Sequence, residues 1–211
     1  AHSQWIHPGV DLYIVGSQEV RDTLVARGVS SQRVKATGIP IHPRFEEELD
    51  RQPIARRLNL QPDRRTVLVM GGAEGILGGA KGICRTLTHA ELPIQSIVVC
   101  GKDKKLYRSL DSLLEGALNP VIKLGYVDNV EELMTVADLI ITKAGGLTVT
   151  EALAKKLPLL IYRPIPGQEE KNAAFVQALG AGEVAYTIGE LQAKLAELVL
   201  SDDRLKRMRQ A

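Results

Sequence analysis

"LIITKAGGLTVTEALAKKLPLLIYRPIPGQEEKNA", residues 139–173, holds two short apolar runs, each followed by a glycine turn and a helix-like stretch. The runs, Leu139 to Thr142 and Pro158 to Tyr162, are continuously apolar, as strands buried on both faces are. Gly145 and Gly146 end the first run before a helical stretch from Leu147 to Lys156. Pro166 and Gly167 precede a second stretch, from Gln168 to Leu179. Strand, helix, strand, helix at this spacing requires parallel pairing through right-handed crossovers.

The same alternation extends outward in both directions. Further strand-like runs lie at Asp11 to Gly16, Arg33 to Thr37, Thr66 to Met70, Gln95 to Cys100 and Pro120 to Leu124. Helical stretches lie at Gln18 to Arg27, Gly79 to His89, Lys104 to Leu114 and Val130 to Ala137. The expectation is an α/β fold with a doubly wound parallel sheet. Residues 37–65, with four prolines and a charged middle, read as a hinge or connector. Residues 1–36 are then the remnant of a preceding domain, and 66–211 the main domain.

At 211 residues with 45% hydrophobic content, the chain can bury a substantial core. Its 27 basic and 25 acidic residues are too evenly balanced for a nucleic-acid footprint, so no nucleic-acid partner is expected. Cys84 and Cys100 are not in C-x-x-C spacing, and each sits in an apolar stretch that suits a buried free thiol in a reducing cytosol. No apolar run reaches the ~18 to 20 residues of a membrane span.

In an open parallel sheet ligands bind beyond the carboxyl ends of the strands. Four loops there carry the chemistry. "VLVMGGAEGILGG", residues 67–79, is glycine-rich but fits neither G-x-x-x-x-G-K-[ST] nor G-x-G-x-x-G, and a tight structural turn serves the same glycines as well as a phosphate cradle. "GYVDNVEELMTVAD", residues 125–138, can border a base, while Asp128 or Asn129 as a helix cap explains the same residues. After Gly145 and Gly146, unpaired first-turn amides suit a diphosphate. Glu151, one turn beyond Leu147 and ~6 Å further along the axis, can accept from ribose hydroxyls. In the fourth loop, Gln168 and Asn172 share a helix face from which amides can read sugar hydroxyls. An ordinary dipole-matching acid explains Glu151 alone, and likewise Glu169 and Glu170. Two polar helix starts at one end of one sheet together describe a pocket for a nucleoside diphosphate sugar.

The stretches "TKAGGLTVTEALAKKLPLLIYRPIPGQEEKNA", "VLVMGGAEGILGG" and "VDLYIVGSQEV…VKATGIPI" resemble the processive diacylglycerol glucosyltransferases and monogalactosyldiacylglycerol synthases, relatives of the peptidoglycan lipid-linked GlcNAc transferase. The resemblance spans essentially the whole chain and implies the C-terminal, donor-binding domain of a GT-B glycosyltransferase. It implies amides of Gly146, Leu147 and Thr148 and the Thr148 hydroxyl on the diphosphate, Glu151 on the ribose, and Gln168 and Glu169 with Asn172 on the donor sugar. Gly72, Ala73 and Gly75 would border the phosphates, Tyr126 and Val127 the uracil, and Lys143 a phosphate. The reaction implied is inverting transfer of glucose or galactose from a UDP-sugar to diacylglycerol, by an enzyme that is cytoplasmic and peripheral to the membrane.

No catalytic residue is assigned. The resemblance places the acceptor domain and its base upstream of Ala1, so this fragment is expected to bind donor without transferring sugar. His2, His7, His42 and His89 are poor substitutes for that base. With no D-x-D pair, no metal or cofactor is expected, and the amides neutralise the leaving UDP instead. A UDP-sugar epimerase, a GlcNAc transferase of similar fold, and a noncatalytic nucleotide-binding module are the rival readings.

Overall fold

Segments such as "TVLVM" at 66–70 and "IQSIVV" at 94–99 have no polar face to give to water, and they form the centre of the sheet. The structure is a computed structural model that describes residues 3–71 and 79–211. The chain divides into two units, Ala1–His42 and Pro43–Ala211.

In the first unit, β1 (Tyr13–Val15) and β2 (Val34–Ala36) pair in parallel, with α1 (Gln18–Ala26) as their connection. Ser17 caps α1 by accepting from the Val20 amide. Leu24, Val29 and Val34 form a small core of their own.

The second unit runs α2 (Arg51–Arg57), β3 (Arg65–Met70), α3 (Ala80–His89), β4 (Ile94–Val99), α4 (Lys104–Ser109), α5 (Asp111–Leu114), β5 (Val121–Leu124) and α6 (Val130–Val136). It continues with β6 (Leu139–Thr142), α7 (Gly146–Ala154), β7 (Leu159–Tyr162), α8 (Gln168–Leu179), β8 (Gly182–Ala185), α9 (Ile188–Val199) and α10 (Asp202–Gln210). The six strands pair in parallel in the order β5-β4-β3-β6-β7-β8. Alternate residues along them, Val67 and Val69, Leu139 and Ile141, Leu160 and Tyr162, pack in one core cluster with Ile83, Cys84 and Leu87 of α3, Leu191, Leu195 and Leu198 of α9, and Leu205 and Met208 of α10. Residues on the other face, such as Leu68, Ile140 and Ile161, are equally buried.

The boundary at His42 differs from the expected connector of 37–65. Residues 43–65 belong to the second unit because they are tied into it. Phe45 and Ile54 are buried, and Arg51 clasps Asp138 with both terminal guanidinium nitrogens, Nη1 and Nη2, at 3.1 Å. Pro53 stands in the first turn of α2, where its missing amide proton costs nothing, so a proline that reads as a breaker sits inside a helix. The expected helix from Lys104 to Leu114 is two short helices meeting at Leu110.

Three elements lie beyond the last helix read from the sequence. β8, "GEVA", is too short and polar to stand out as a strand, yet Glu183 is held by Lys194 at 3.0 Å and Arg204 at 2.6 Å. The helices after it do carry start signals. The Thr187 side chain caps α9 by accepting from the Glu190 amide, the Glu190 carboxylate reaches back to accept from the Tyr186 amide, and the Ser201 side chain caps α10. Cys84 and Cys100 are free and buried, and burial pushes the Cys84 thiol up to about 12.

Candidate functional site

From β3 the chain winds outward to β4 and β5, then returns to the other side of β3 and winds out through β6, β7 and β8. The direction of winding reverses between β3 and β6, and a crevice opens outside the carboxyl ends of the strands at such a reversal. The chain leaves β3 there at Met70 and Gly71, and leaves β6 at Lys143. Gly72, Ala73 and Gly75 lie outside the described residues. Gly79, which follows them, caps α3 at φ 82°.

α7 opens at Gly146, one residue earlier than the sequence spacing suggests, with Gly145 as its N-cap and no side chain capping it. The first-turn amides of Gly146, Leu147 and Thr148 therefore keep their donors at the positive end of the helix dipole. Glycine matters here because Ser, Thr, Asp or Asn would give an oxygen to those amides. Leu147 is 57% exposed, whereas Thr148 is 7% exposed and faces the protein side of the helix.

Glu151 is half-buried on the helix face shared with Leu147. Burial raises its pKa above the ordinary carboxylate value. Arg44 draws it back down, and Glu131 pushes it up. Among the described residues its carboxylate accepts no hydrogen bond. Lys155, one turn further along α7, donates to the Glu47 carbonyl at 2.6 Å, and burial lowers its pKa against the pull of Glu131 and Glu47.

β7 ends at Tyr162, and the chain turns out through Arg163, a non-glycine residue held at φ 50°, to Gly167 at φ 105°, a conformation open only to glycine. Gln168 then starts α8 on the surface. Glu169 is engaged locally: Oε2 accepts from the Ile165 amide at 2.9 Å and Oε1 lies 3.8 Å from Lys143 Nζ. Asn172 donates to the Ala144 carbonyl at 2.8 Å, which clips α8 to the loop that feeds α7. Lys143, Glu169 and Asn172 thus join the third and fourth loops into one wall, with Gln168 standing clear.

Tyr126 is 66% exposed after β5, with Lys102 Nζ 5.6 Å from its ring centre, and Val127 is half-buried. Asn129 occupies the N-cap position of α6, but its side chain donates to the Glu132 carboxylate and makes no cap bond. Asp128 contributes its carbonyl to Arg44 Nη1 at 2.8 Å. Sequence reading assigned nothing to Arg44 and Glu131, which face each other at 3.3 Å beside this turn. A separation of 87 residues left no local pattern to reveal the pair. Among the described residues no group of three or more His, Cys, Asp or Glu side chains is arranged to hold a metal ion.

The family model described as "Glycosyltransferase family 28 C-terminal domain" matches residues 66–211. The chain belongs to glycosyltransferase family 28. The monogalactosyldiacylglycerol (MGDG) synthase model matches residues 1–41 of this family 28 chain. The processive diacylglycerol beta-glucosyltransferase of Bacillus subtilis (strain 168) is 39% identical over 208 residues, 99% of this chain and 54% of that protein. Its counterpart in Bacillus licheniformis is 38% identical with the same coverage. The chain spans about half the length of the curated relatives it matches.

Solved structures share the fold, which is that of a Rossmann-like GT-B C-terminal domain. WaaG, a glycosyltransferase involved in lipopolysaccharide biosynthesis, superposes with a TM-score of 0.67 at 19% identity, covering 95% of this chain and 57% of WaaG. A putative UDP-N-acetylglucosamine 2-epimerase from Listeria monocytogenes superposes at 0.72 with 15% identity, covering 95% and 54%. Anabaena HepE in complex with UDP and glucose superposes at 0.65 with 16% identity, covering 94% and 56%. Transferases and an epimerase alike carry this fold.

Proposed function

We propose that this chain is the donor-binding part of an enzyme that transfers glucose or galactose from a UDP-sugar to diacylglycerol, producing a membrane glycolipid. The observation that carries the reading is the start of α7: uncapped amides at the point where the sheet winding reverses, with a half-buried carboxylate one turn further along the same face. The amides of Gly146, Leu147 and Thr148 receive the diphosphate, with Lys143 nearby, and Glu151 accepts from the ribose hydroxyls. Tyr126 and Val127 border the uracil, and Gly72, Ala73 and Gly75 border the phosphates. Gln168 reads the hexose from a loop whose shape Glu169 and Asn172 maintain.

In transfer, the bond between the sugar's anomeric carbon and the diphosphate oxygen breaks as the acceptor hydroxyl attacks. Negative charge collects on the departing UDP. Fixed amide donors aimed at that charge stabilise it more in the transition state than in the bound donor. No metal takes part in this reading. The acceptor and the base that takes its proton are not assigned to residues of this chain.

The names of the curated relatives support diacylglycerol as acceptor, and the complex of Anabaena HepE with UDP and glucose supports a UDP-hexose as donor. No helix among the described residues is long and apolar enough to cross a membrane. We place the enzyme on the cytoplasmic membrane surface as a peripheral protein, where its lipid acceptor resides. Epimerases share the fold, but relatives at 38% and 39% identity over 99% of the chain carry a transferase name.

The test is calorimetric titration of the chain with UDP, UDP-glucose, UDP-galactose, UDP-GlcNAc and NADH. Saturable binding of UDP and of one or both UDP-hexoses, without NADH, is expected. NADH binding, or no response to any uridine nucleotide, refutes the reading.

A further inference from the structure

The second unit begins with the single turn Pro43–Phe45, which is pinned on three sides. Phe45, 3% exposed, is sunk in the core and anchors the turn. Arg44 Nη1 donates to the Asp128 carbonyl at 2.8 Å, and Arg44 Nε lies 3.3 Å from Glu131 Oε2, an ion-pair contact between two solvent-shielded atoms that do not hydrogen-bond each other. Two residues beyond the turn, the Glu47 carbonyl accepts from Lys155 at 2.6 Å. Residues 43–47 thus form a strap bound to the start of α6 at one point and to α7 at another.

These are the helices around the proposed nucleoside. The turn Tyr126–Val127 leads into α6, and Glu151 lies on α7 one turn before Lys155. We infer that Arg44 is a positioning residue for the nucleoside, bridging the Asp128 carbonyl and the Glu131 carboxylate so that the uracil-bordering turn and the Glu151 carboxylate keep one geometry. The inference rests on the donor-site reading above and adds to it a residue that reading does not name.

The chemistry requires arginine. One flat guanidinium addresses a carbonyl and a carboxylate from different edges, which a lysine ammonium on a flexible stem does not do in a fixed plane. Its charge also acts on Glu151. Among the described residues, Arg44 of the strap and Glu131 of α6 act on the Glu151 carboxylate, while Glu131 and Glu47 of the strap act on Lys155, one turn beyond it. Without Arg44, Glu131 becomes an unscreened like charge beside a carboxylate that burial already disfavours.

The sign follows. Ribose hydroxyls donate to the ionised carboxylate, so UDP affinity falls as pH drops through the Glu151 pKa of the free protein. Arg44 lowers that pKa, so removing Arg44 raises it, and the fall in affinity begins at a higher pH.

The experiment measures UDP affinity from about pH 5 to about pH 8 for the wild-type chain, Arg44→Ala, Arg44→Lys, Glu151→Gln and the double variant Arg44→Ala/Glu151→Gln, with melting temperatures alongside. Arg44→Ala is expected to weaken UDP binding at neutral pH by roughly three- to thirtyfold, within the span of couplings between contacting residues, and to move the acid-side decline upward in pH. Arg44→Lys restores the position of that decline because it restores the charge, but recovers neutral-pH affinity only in part. With glutamine at position 151 the Arg44→Ala loss is smaller, and the acid-side decline that remains belongs to the terminal phosphate of UDP, which takes up a proton at about pH 6 alike with and without Arg44. If Arg44→Ala fails to fold, Arg44→Gln carries the same comparison. An acid-side decline at the wild-type pH in Arg44→Ala overturns the inference, as does a loss equal at every pH and matched by a lower melting temperature. A wild-type chain that does not bind UDP overturns the inference together with the donor-site reading, whereas unchanged binding in Arg44→Ala overturns the inference alone.

Discussion

Asp138 and Glu151 are both partly or fully buried acids in the second unit, one entering β6 and the other on the helix that leaves it, yet their surroundings are opposite. Asp138, 4% exposed, receives two hydrogen bonds from Arg51, one from Arg209 at 3.1 Å and one from the Thr66 amide at 2.8 Å, with Arg65 at 3.8 Å. It joins α2, β3, β6 and α10 at the amino end of the sheet. Glu151 has charges around it but accepts no hydrogen bond among the described residues, and burial raises its pKa. A satisfied buried acid holds a fold together. A half-buried one with no protein donor among the described residues, beside uncapped helix amides, is a candidate for donors that arrive with a ligand.

Breaking the amino end should produce the larger loss of stability. Asp138→Ala leaves three arginines and a backbone amide without their acceptor. Because each arginine is partly exposed and can turn to water, the cost is about 2 to 4 kcal/mol, toward the lower side of what breaking a buried pair costs. That corresponds to a melting temperature lower by ~4 to 16 °C. UDP affinity, measured well below the transition, should be unchanged. A variant with wild-type melting temperature, or one that stays folded but no longer binds UDP, would break the contrast between the two ends.

The converse substitution sharpens it. Glu151→Gln should weaken UDP binding by roughly 1.5 to 3 kcal/mol, about ten- to a hundredfold. Its effect on stability has the opposite sign to that of Asp138→Ala. A carboxyl whose pKa is raised on folding holds its proton better folded than unfolded. Ionisation therefore costs nothing below the unfolded pKa and costs stability increasingly as pH rises toward and past the folded value. At neutral pH the ligand-free glutamine variant should melt at or slightly above the wild-type temperature. Weaker binding with unchanged or higher stability is the mark of a residue kept for function. Equal UDP affinity in the two proteins would remove Glu151 from the ribose site.

How much of this could be read in advance followed the range of the interactions. The strand–helix–strand–helix unit of residues 139–179 was legible to within two residues at every bound, because buried parallel strands and glycine turns declare themselves locally. Gly146, Leu147, Thr148 and Glu151 indeed stand at or near one helix start, since that reading needed only the 3.6-residue period. Asn172 was legible as a residue of the right face, but not as the clip on the Ala144 carbonyl that the tertiary fold makes it. The Asp138 cluster joins residues 51, 65, 66, 138 and 209, and the strap joins 44 to 128 and 131. Such contacts exist only once the sheet has formed, and no spacing in one sequence encodes them. α9 and α10 were different. Thr187, Glu190 and Ser201 announced both starts locally, in a tail where no helix start was assigned.

The smallest expected effect concerns metal, and it follows from the helix start itself. Three first-turn amides without a side-chain cap, the positive end of the α7 dipole and the Lys143 ammonium offer fixed donors and positive charge to a diphosphate. Such donors are in place before the ligand arrives and need no cation to bridge them. UDP titrated in excess EDTA and again in millimolar magnesium should therefore bind with affinities within about twofold of each other, ~0.4 kcal/mol. Free magnesium also chelates the diphosphate in solution, so a slight weakening is the direction in which any difference should fall. The contrast with Glu151→Gln is then direct, because removing a side chain at this helix costs affinity while removing divalent cations does not. A loss of tenfold or more in EDTA, about 1.4 kcal/mol, restored by magnesium, would mean that a cation carries the diphosphate. The amides of Gly146, Leu147 and Thr148 would then not be its principal partners.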